Sequence, residues 1–202
     1  MRSEIVTNIE SEKIMAIIRL DDQLKVAPVL ERLVDAGINV LEITSNTPGF
    51  AEEILKAREK FPAAIIGAGT ITNARLAQKA IICNAQFLVT PNTNVDIIYI
   101  AHQSNIPVLM GAMTPSEIAE AVEHGADFIK IFPAGALGLD YFKALLGPFN
   151  NVKFIAVGDI SLNNALGWFK AGVVGIGIGS SLTNGDMTDI KTSVTNLLTQ
   201  LK

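Results

Sequence analysis

The sequence predicts a closed parallel (β/α)8 barrel of the TIM type, preceded by a short N-terminal helix. Three observations carry this. Eight short apolar runs are spaced along the 202 residues, with helix-patterned segments between them. The runs are apolar at successive positions, as strands buried between a barrel interior and a helix layer must be. Several helical segments stop at a glycine just before the next run, at the same point of the repeat: Ala36-Gly37, His124-Gly125 and Ala171-Gly172. An open doubly wound sheet rarely needs eight units of such even length. One barrel domain is therefore expected over residues 1–202, near the lower size limit of the fold.

Residues 1–13 are charged, with helical spacing, and lack the apolar stretch of a signal peptide. Strand-like runs follow at 14–18, 40–43, 64–68, 87–89, 107–110, 128–132, 154–157 and 173–178. Helical periodicity fills the gaps at 24–36, 51–60, 74–82, 95–101, 115–123, 141–146 and 164–171, and a last helix over 189–201 follows the eighth strand.

Composition bounds the function. With 49% hydrophobic residues and a formal net charge of −4, the chain fits one soluble globular domain with a large core. Lysine and arginine are scattered rather than striped, which argues against nucleic acid. No stretch approaches the ~18 uninterrupted apolar residues of a membrane span. The single cysteine, Cys83, has no disulfide partner and lies in the apolar stretch 80–83, as a packed thiol of a cytoplasmic protein would. His102 and His124 fall at helix C-termini on the rim opposite the expected site, where they complement the helix dipole rather than bind metal. Gly175, Gly177 and Gly179 lack the third glycine of a dinucleotide fingerprint at the required spacing. No metal or other cofactor is expected.

One residue breaks the apolar pattern. Lys130 sits within Phe128-Ile129-Lys130-Ile131-Phe132, a run too short and too rich in β-branched and aromatic residues for a helix, and closed by Pro133. A buried ammonium loses hydration worth several kcal/mol, so its pKa falls and the neutral amine becomes a nucleophile toward ketones. The bland alternative is a strand-end lysine that snorkels to solvent or pairs with a carboxylate.

Side-chain alternation tests the choice. Lys130 shares a strand face with Phe128 and Phe132, Glu42 shares one with Val40 and Thr44, and Arg19 with Met15 and Ile17. Thr70 is expected inward with Ile66 and Ala68. Four polar groups converging at the C-terminal rim of a barrel point to a site. Lys130 is the candidate nucleophile toward a 2-keto acid, and Glu42 the general acid–base or, alternatively, only an ionic partner of the lysine. Arg19 and Thr70 suit a substrate carboxylate. The loops after the seventh and eighth strands carry Gly158 and Gly179-Ser180, placed where barrels often bind phosphate.

These segments, Met15 to Arg19, Leu41-Glu42-Ile43-Thr44, Gly67-Ala68-Gly69-Thr70, Val89-Thr90-Pro91-Asn92, Lys130-Ile131-Phe132-Pro133 and Ala156-Val157-Gly158, together resemble the class I aldolases of the Entner–Doudoroff type. That family comprises the 2-keto-3-deoxy-6-phosphogluconate (KDPG) and 4-hydroxy-2-oxoglutarate (KHG) aldolases with their phosphogalactonate relatives. The resemblance implies a Schiff-base lysine at Lys130 and a proton-transferring Glu42. It implies substrate contacts from Arg19, Thr70, Gly158, Gly179 and Ser180, with Pro91 and Phe132 shaping the pocket. It further implies a homotrimer that needs no metal. The reaction would reversibly give pyruvate plus glyceraldehyde 3-phosphate or glyoxylate. Two positions depart from the pattern. Asn46 stands where the phosphogluconate branch carries arginine, and Asn46-Thr47-Pro48 and Val157 look more like the phosphogalactonate branch. Asp159 stands where a second glycine is usual, and its charge counts against tight phosphate binding. The rivals are a phosphosugar barrel that forms no imine and a silent ligand-binding relative.

Overall fold

Eight parallel strands close on themselves in sequence order: β1 (Ile14–Ile18), β2 (Val40–Thr44), β3 (Ile65–Gly69), β4 (Leu88–Val89), β5 (Val108–Ala112), β6 (Phe128–Ile131), β7 (Phe154–Val157) and β8 (Gly175–Ile178). The last strand returns to the first through the pairs Ile14–Ile176, Met15–Gly177 and Ala16–Ile178. The structure is a computed structural model that describes residues 2–183 and 187–201; Met1, Asn184, Gly185, Asp186 and Lys202 lie outside it. The helices are α1 (Arg2–Glu12), α2 (Val26–Asp35), α3 (Phe50–Lys60), α4 (Ala74–Ile82), α5 (Val95–Gln103), α6 (Pro115–Glu123), α7 (Ala134–Leu146), α8 (Ala165–Ala171), α9 (Ser180–Thr183) and α10 (Met187–Gln200). The (β/α)8 barrel and its N-terminal helix are as the sequence predicts. Glycines 37, 125 and 172 stand at the expected helix ends with φ of 89°, 83° and 114°.

Alternation along each strand divides the core in two. One apolar cluster, including Ile18, Leu41, Ile43, Ile66, Ala68, Ile129 and Ile131, packs beneath the helices. The other fills the barrel axis with Met15, Ile17, Val40, Ile65, Phe87, Phe128 and Ile155, so the expected parities of Arg19, Glu42 and Lys130 hold. In β3 the parity expected of Thr70 fails. Ile66 and Ala68 belong to the helix layer, while Ile65 faces the axis and a Cβ on Gly67 would collide with the ring of Phe87. Thr70 reaches the mouth of the barrel because the strand stops at Gly69 and Thr70 turns into the left-handed region, at φ 56°.

Several boundaries also differ from expectation, each for a local reason. Segment 24–36 divides into a 3-10 turn, Gln23–Lys25, capped by Asp22 on the Leu24 N–H at 2.9 Å, and α2. Helix α7 starts at Ala134 rather than at 141, because the glycine-rich first half hides the periodicity and Gly138 (φ 81°, ψ 165°) kinks it. The one-turn helix α9 carries no periodic signal and was not anticipated.

At the N-terminal ends of the strands, α1 lies across the barrel. Ile5 and Ile9 enter the axial cluster, each burial contributing ~1.5–3 kcal/mol. Arg2 Nε lies 2.8 Å from Asp127 Oδ1, and Lys153 Nζ lies 2.9 Å from Glu10 Oε1. Asp127 Oδ2 also accepts the Val108 N–H at 2.9 Å and stands 3.1 Å from His102 Nε2. His124 Nδ1 donates to the Glu120 carbonyl at 2.8 Å. Among the described residues, no helix is long and apolar enough to cross a membrane, and no group of three or more His, Cys, Asp or Glu residues is placed to hold a metal.

Candidate active site

Seven of the eight strands, all but β5, deliver residues to the same end of the barrel. Arg19 follows β1, Glu42 lies within β2, Thr70 follows β3, Pro91 follows β4 and Lys130 lies within β6. Phe132 follows β6, Gly158 follows β7, and Gly179-Ser180 follows β8. All of these candidates line one open cavity of about 580 Å³. The structure therefore brings together every site residue expected from the sequence.

Two glycines make room for that convergence. A Cβ on Gly69 would overlap the carboxylate of Glu42, so the acid occupies space that only a side-chain-free neighbour leaves open. A Cβ on Gly111 would strike the backbone of Thr90 and Pro91, 2.6 Å from the Thr90 carbonyl oxygen and 2.5 Å from the Pro91 carbonyl carbon. With Gly111 in place the chain after β4 lies close against β5, the Thr90 hydroxyl accepts the Gly111 N–H at 2.8 Å, and Pro91 is turned into the cavity.

Lys130 is 5% exposed and Glu42 only 1%. Among the described residues no hydrogen bond or ion pair joins them, but each feels the other's charge. Burial pushes the Lys130 amine below the ordinary lysine range. The nearby Glu42 partly restores its charge, and Arg19 opposes it further. Burial likewise pushes the Glu42 carboxyl above the ordinary carboxylate range, against the pull of Lys130 and then of Arg19. Glu42 Oε2 is buried with no hydrogen-bond partner among the described residues. Such an acceptor costs stability unless something outside the fold uses it. The Lys130 Nζ stands 4.9 Å from the centroid of the Phe132 ring, which covers its outer side.

Arg19 is exposed at the rim, and its guanidinium donates to Asn46 Oδ1 at 3.1 Å and to Thr70 Oγ1 at 3.2 Å. Its backbone is gripped from both sides. The Ile18 carbonyl accepts from Thr44 Oγ1 at 3.2 Å and lies 3.3 Å from Thr47 Oγ1, and Thr47 Oγ1 accepts the Leu20 N–H at 3.2 Å. Both threonines are buried and touch one another at 3.0 Å. In the sequence Thr44 marks strand parity, and Thr44, Thr47 and Gly69 fall in segments that carry the resemblance, but none of them has a structural or site role assigned there. Two threonines spaced by three residues after a strand-end acid were the available signal.

The far side of the cavity, at the ends of β7 and β8, is formed by Gly158, Asp159, Ser161, Gly179, Ser180 and Ser181. Asp159 is exposed and adopts φ 54°, and its Cβ sits over Gly135 at the start of α7. Asn164 braces this loop, donating to the Asp159 carbonyl at 2.9 Å and accepting the Ser161 N–H at 3.0 Å.

Comparison with known proteins places these observations in a family. The model of the family described as KDPG and KHG aldolase matches residues 5–197. The chain is 33% identical over 162 residues to the 2-dehydro-3-deoxy-phosphogluconate aldolase of Haemophilus influenzae, covering 80% of this chain and 76% of the relative. It is 34% identical over 152 residues to the 2-dehydro-3-deoxy-6-phosphogalactonate aldolase of Escherichia coli K12, covering 74% of each. Among solved structures, the KDPG aldolase of Legionella pneumophila, with pyruvate captured as a covalent carbinolamine, superposes with a TM-score of 0.84. That match has 26% identity and covers 95% of this chain and 97% of the other. A 3-hexulose-6-phosphate synthase at 16% identity and TM-score 0.76 shares the fold alone.

Proposed function

This chain belongs to the KDPG and KHG aldolase family, and we propose that it works as a Schiff-base (class I) aldolase on 2-keto acids. The family makes it a carbon–carbon lyase. The substrates we assign are a 2-keto-3-deoxy-6-phosphosugar acid of the phosphogluconate type and 4-hydroxy-2-oxoglutarate. They would be cleaved reversibly to pyruvate plus glyceraldehyde 3-phosphate or glyoxylate. The observation that carries the reading is the pair at the cavity floor: a buried lysine whose amine is pushed toward neutrality, facing a buried carboxylate with an unused oxygen.

The neutral Nζ of Lys130 attacks C2 of the keto acid, and the tetrahedral carbinolamine loses water to give a cationic imine. The Glu42 carboxylate removes the proton of the C4 hydroxyl. The C3–C4 bond then breaks, its electrons pass into the imine, and the aldehyde departs from an enamine. Glu42, whose burial favours the protonated form, returns the proton to C3. Water hydrolyses the imine and releases pyruvate. Arg19 holds the substrate carboxylate together with Thr70, while Pro91 and Phe132 bound the reacting carbons. Gly158, Gly179 and Ser180 form the end that receives the aldehyde tail. The Legionella relative with its covalent pyruvate supports the imine chemistry.

The galacto epimer is a second reading, favoured by the resemblance of Asn46-Thr47-Pro48 to the phosphogalactonate branch and by the position of Asn46 on Arg19. The two differ at C4 alone, and cleavage assays with both epimers separate them. We read residues 1–202 as one aldolase domain, supported by the extent of the family match, and as a cytoplasmic homotrimer, supported by the resemblance.

Borohydride reduction in the presence of pyruvate tests the mechanism. The expected result is one pyruvate-derived adduct, mapped to Lys130, and its absence in Lys130→Ala and Lys130→Arg, since a guanidinium stays protonated. An adduct on another lysine, or one that persists in Lys130→Ala, would end this reading.

A further inference from the structure

The charges of the cavity are unevenly placed. Its basic groups, Lys130 and Arg19, serve the floor and the rim beside β2 and β3, where Asn46 and Thr70 hold the guanidinium. Across the mouth, where the chain leaves β7 and β8, the charged lining group is the carboxylate of Asp159, and around it stand the hydroxyl-bearing Ser161, Ser180 and Ser181. Among the described residues no lysine or arginine lines this side, and no side-chain hydrogen bond or ion pair neutralises Asp159. Its position is enforced by the backbone. Asp159 adopts the left-handed region at φ 54°, its Cβ rests over Gly135, and Asn164 grips its carbonyl.

A keto acid joined to Lys130 through C2, with its carboxylate at Arg19, extends its remaining carbons toward this side. A tail ending in free hydroxyls meets a carboxylate and three hydroxyls that can accept and share its protons. A tail ending in a phosphate dianion meets an uncompensated negative charge. We propose that Asp159 is a specificity-determining residue that disfavours a phosphorylated aldehyde and admits its unphosphorylated, hydroxyl-bearing counterpart to the same aldol chemistry. The inference rests on the aldolase reading above and narrows its substrate class. Because Asp159 is exposed, the dielectric is close to that of water. Two phosphate charges at ~5 Å then lose roughly tenfold in affinity.

The test is the condensation direction, with pyruvate held saturating and either glyceraldehyde or glyceraldehyde 3-phosphate as the aldehyde. Asp159→Asn removes the charge while keeping a residue type that tolerates a positive φ. The quantity read is the ratio of kcat/KM for the phosphate ester to that for the free aldehyde. It should rise about tenfold in Asp159→Asn. In the wild type it should also rise between pH 7.5 and pH 5.5, as the phosphate loses its second charge near pH 6, and this rise should shrink in the variant. Equal change for both aldehydes, or an unchanged ratio with borohydride trapping of pyruvate intact, overturns the role of Asp159 and leaves the aldolase standing. Failure of the wild type to trap pyruvate overturns both.

Discussion

The two ends of the barrel axis are built by the same strands, yet one is packed dry with apolar side chains and the other holds ionisable groups. On the axial face of β2, Val40 belongs to the dry end, and Glu42, one pleat further on, reaches the cavity. On β6, Phe128 gives way in the same way to Lys130, and on the first strand Ile17 is followed by Arg19. The dry mouth is stoppered by Ile5 and Ile9 of α1, while the other opens into a cavity of about 580 Å³. The difference lies in one repeat of these three strands, about 7 Å of chain. It shows where the unusual state of Lys130 comes from. The apolar axial layer beneath the amine withholds water from one side, and the cavity admits substrate from the other. Stability and chemistry are thus stacked along one axis, and substitutions at either level should separate them.

The largest effect is expected at the wet level. Glu42→Gln should lower kcat by roughly two to four orders of magnitude while leaving borohydride trapping measurable, because proton transfer is removed but the amine is not. Wild-type turnover would reduce Glu42 to an ionic prop for Lys130. The same variant sharpens the link to folding. The Glu42 carboxyl is raised above its ordinary value of 4.5, so its contribution to stability is fully present below about pH 4.5 and is lost as pH rises through the raised value. Urea denaturation should therefore show wild type losing stability relative to Glu42→Gln between pH 4.5 and neutrality. The opposite slope would mean that attraction to Lys130 outweighs burial.

At the dry level, Ile9→Ala should destabilise the fold by about 2–5 kcal/mol in denaturant titrations, with kcat of the remaining folded protein within about twofold of wild type. A large fall in kcat would show that the two mouths are coupled.

The smallest effect is expected from the threonines that grip the chain beside Arg19. Thr47→Val removes the acceptor of the Leu20 N–H and should cost about 1–2 kcal/mol of stability. It should also raise KM for the keto acid severalfold with little change in kcat, since Arg19 acts through binding. Thr47→Ser should restore KM. A loss confined to kcat would place Thr47 elsewhere in the mechanism.

Much of this arrangement was legible in the sequence because the strand period is two. Once the runs at 40–43 and 128–132 were read as strands, the shared faces of Glu42 with Val40 and of Lys130 with Phe128 followed. The same rule misled at Thr70. A left-handed turn after Gly69 resets the alternation, and a single sequence marks such a turn poorly when the residue is not glycine. Gly69 and Gly111 were equally silent, since their role is to lack a side chain where Glu42 and the Thr90-Pro91 backbone approach. That is a fact of packing across strands, and no local pattern records it. The first half of α7 was lost for a related reason: Gly138 interrupts the periodicity by which helices are recognised.

The stopper at the dry mouth also orders events in time. Ile5 and Ile9 belong to one axial cluster with Met15, Val40, Ile65, Phe128 and Ile155, residues drawn from strands along most of the chain, and Arg2 pairs with Asp127 across 125 positions. Helix α1 precedes every strand in the sequence, yet its seat is complete only when β8, the last strand, has taken its place beside β1. A helix that precedes every strand is therefore among the last elements to dock, and at 11 residues it has little helical stability of its own until the ring has closed. Contacts this distant in sequence make folding slow. They also make it cooperative, because the plug gains its burial from a nearly finished barrel and little from a partial one.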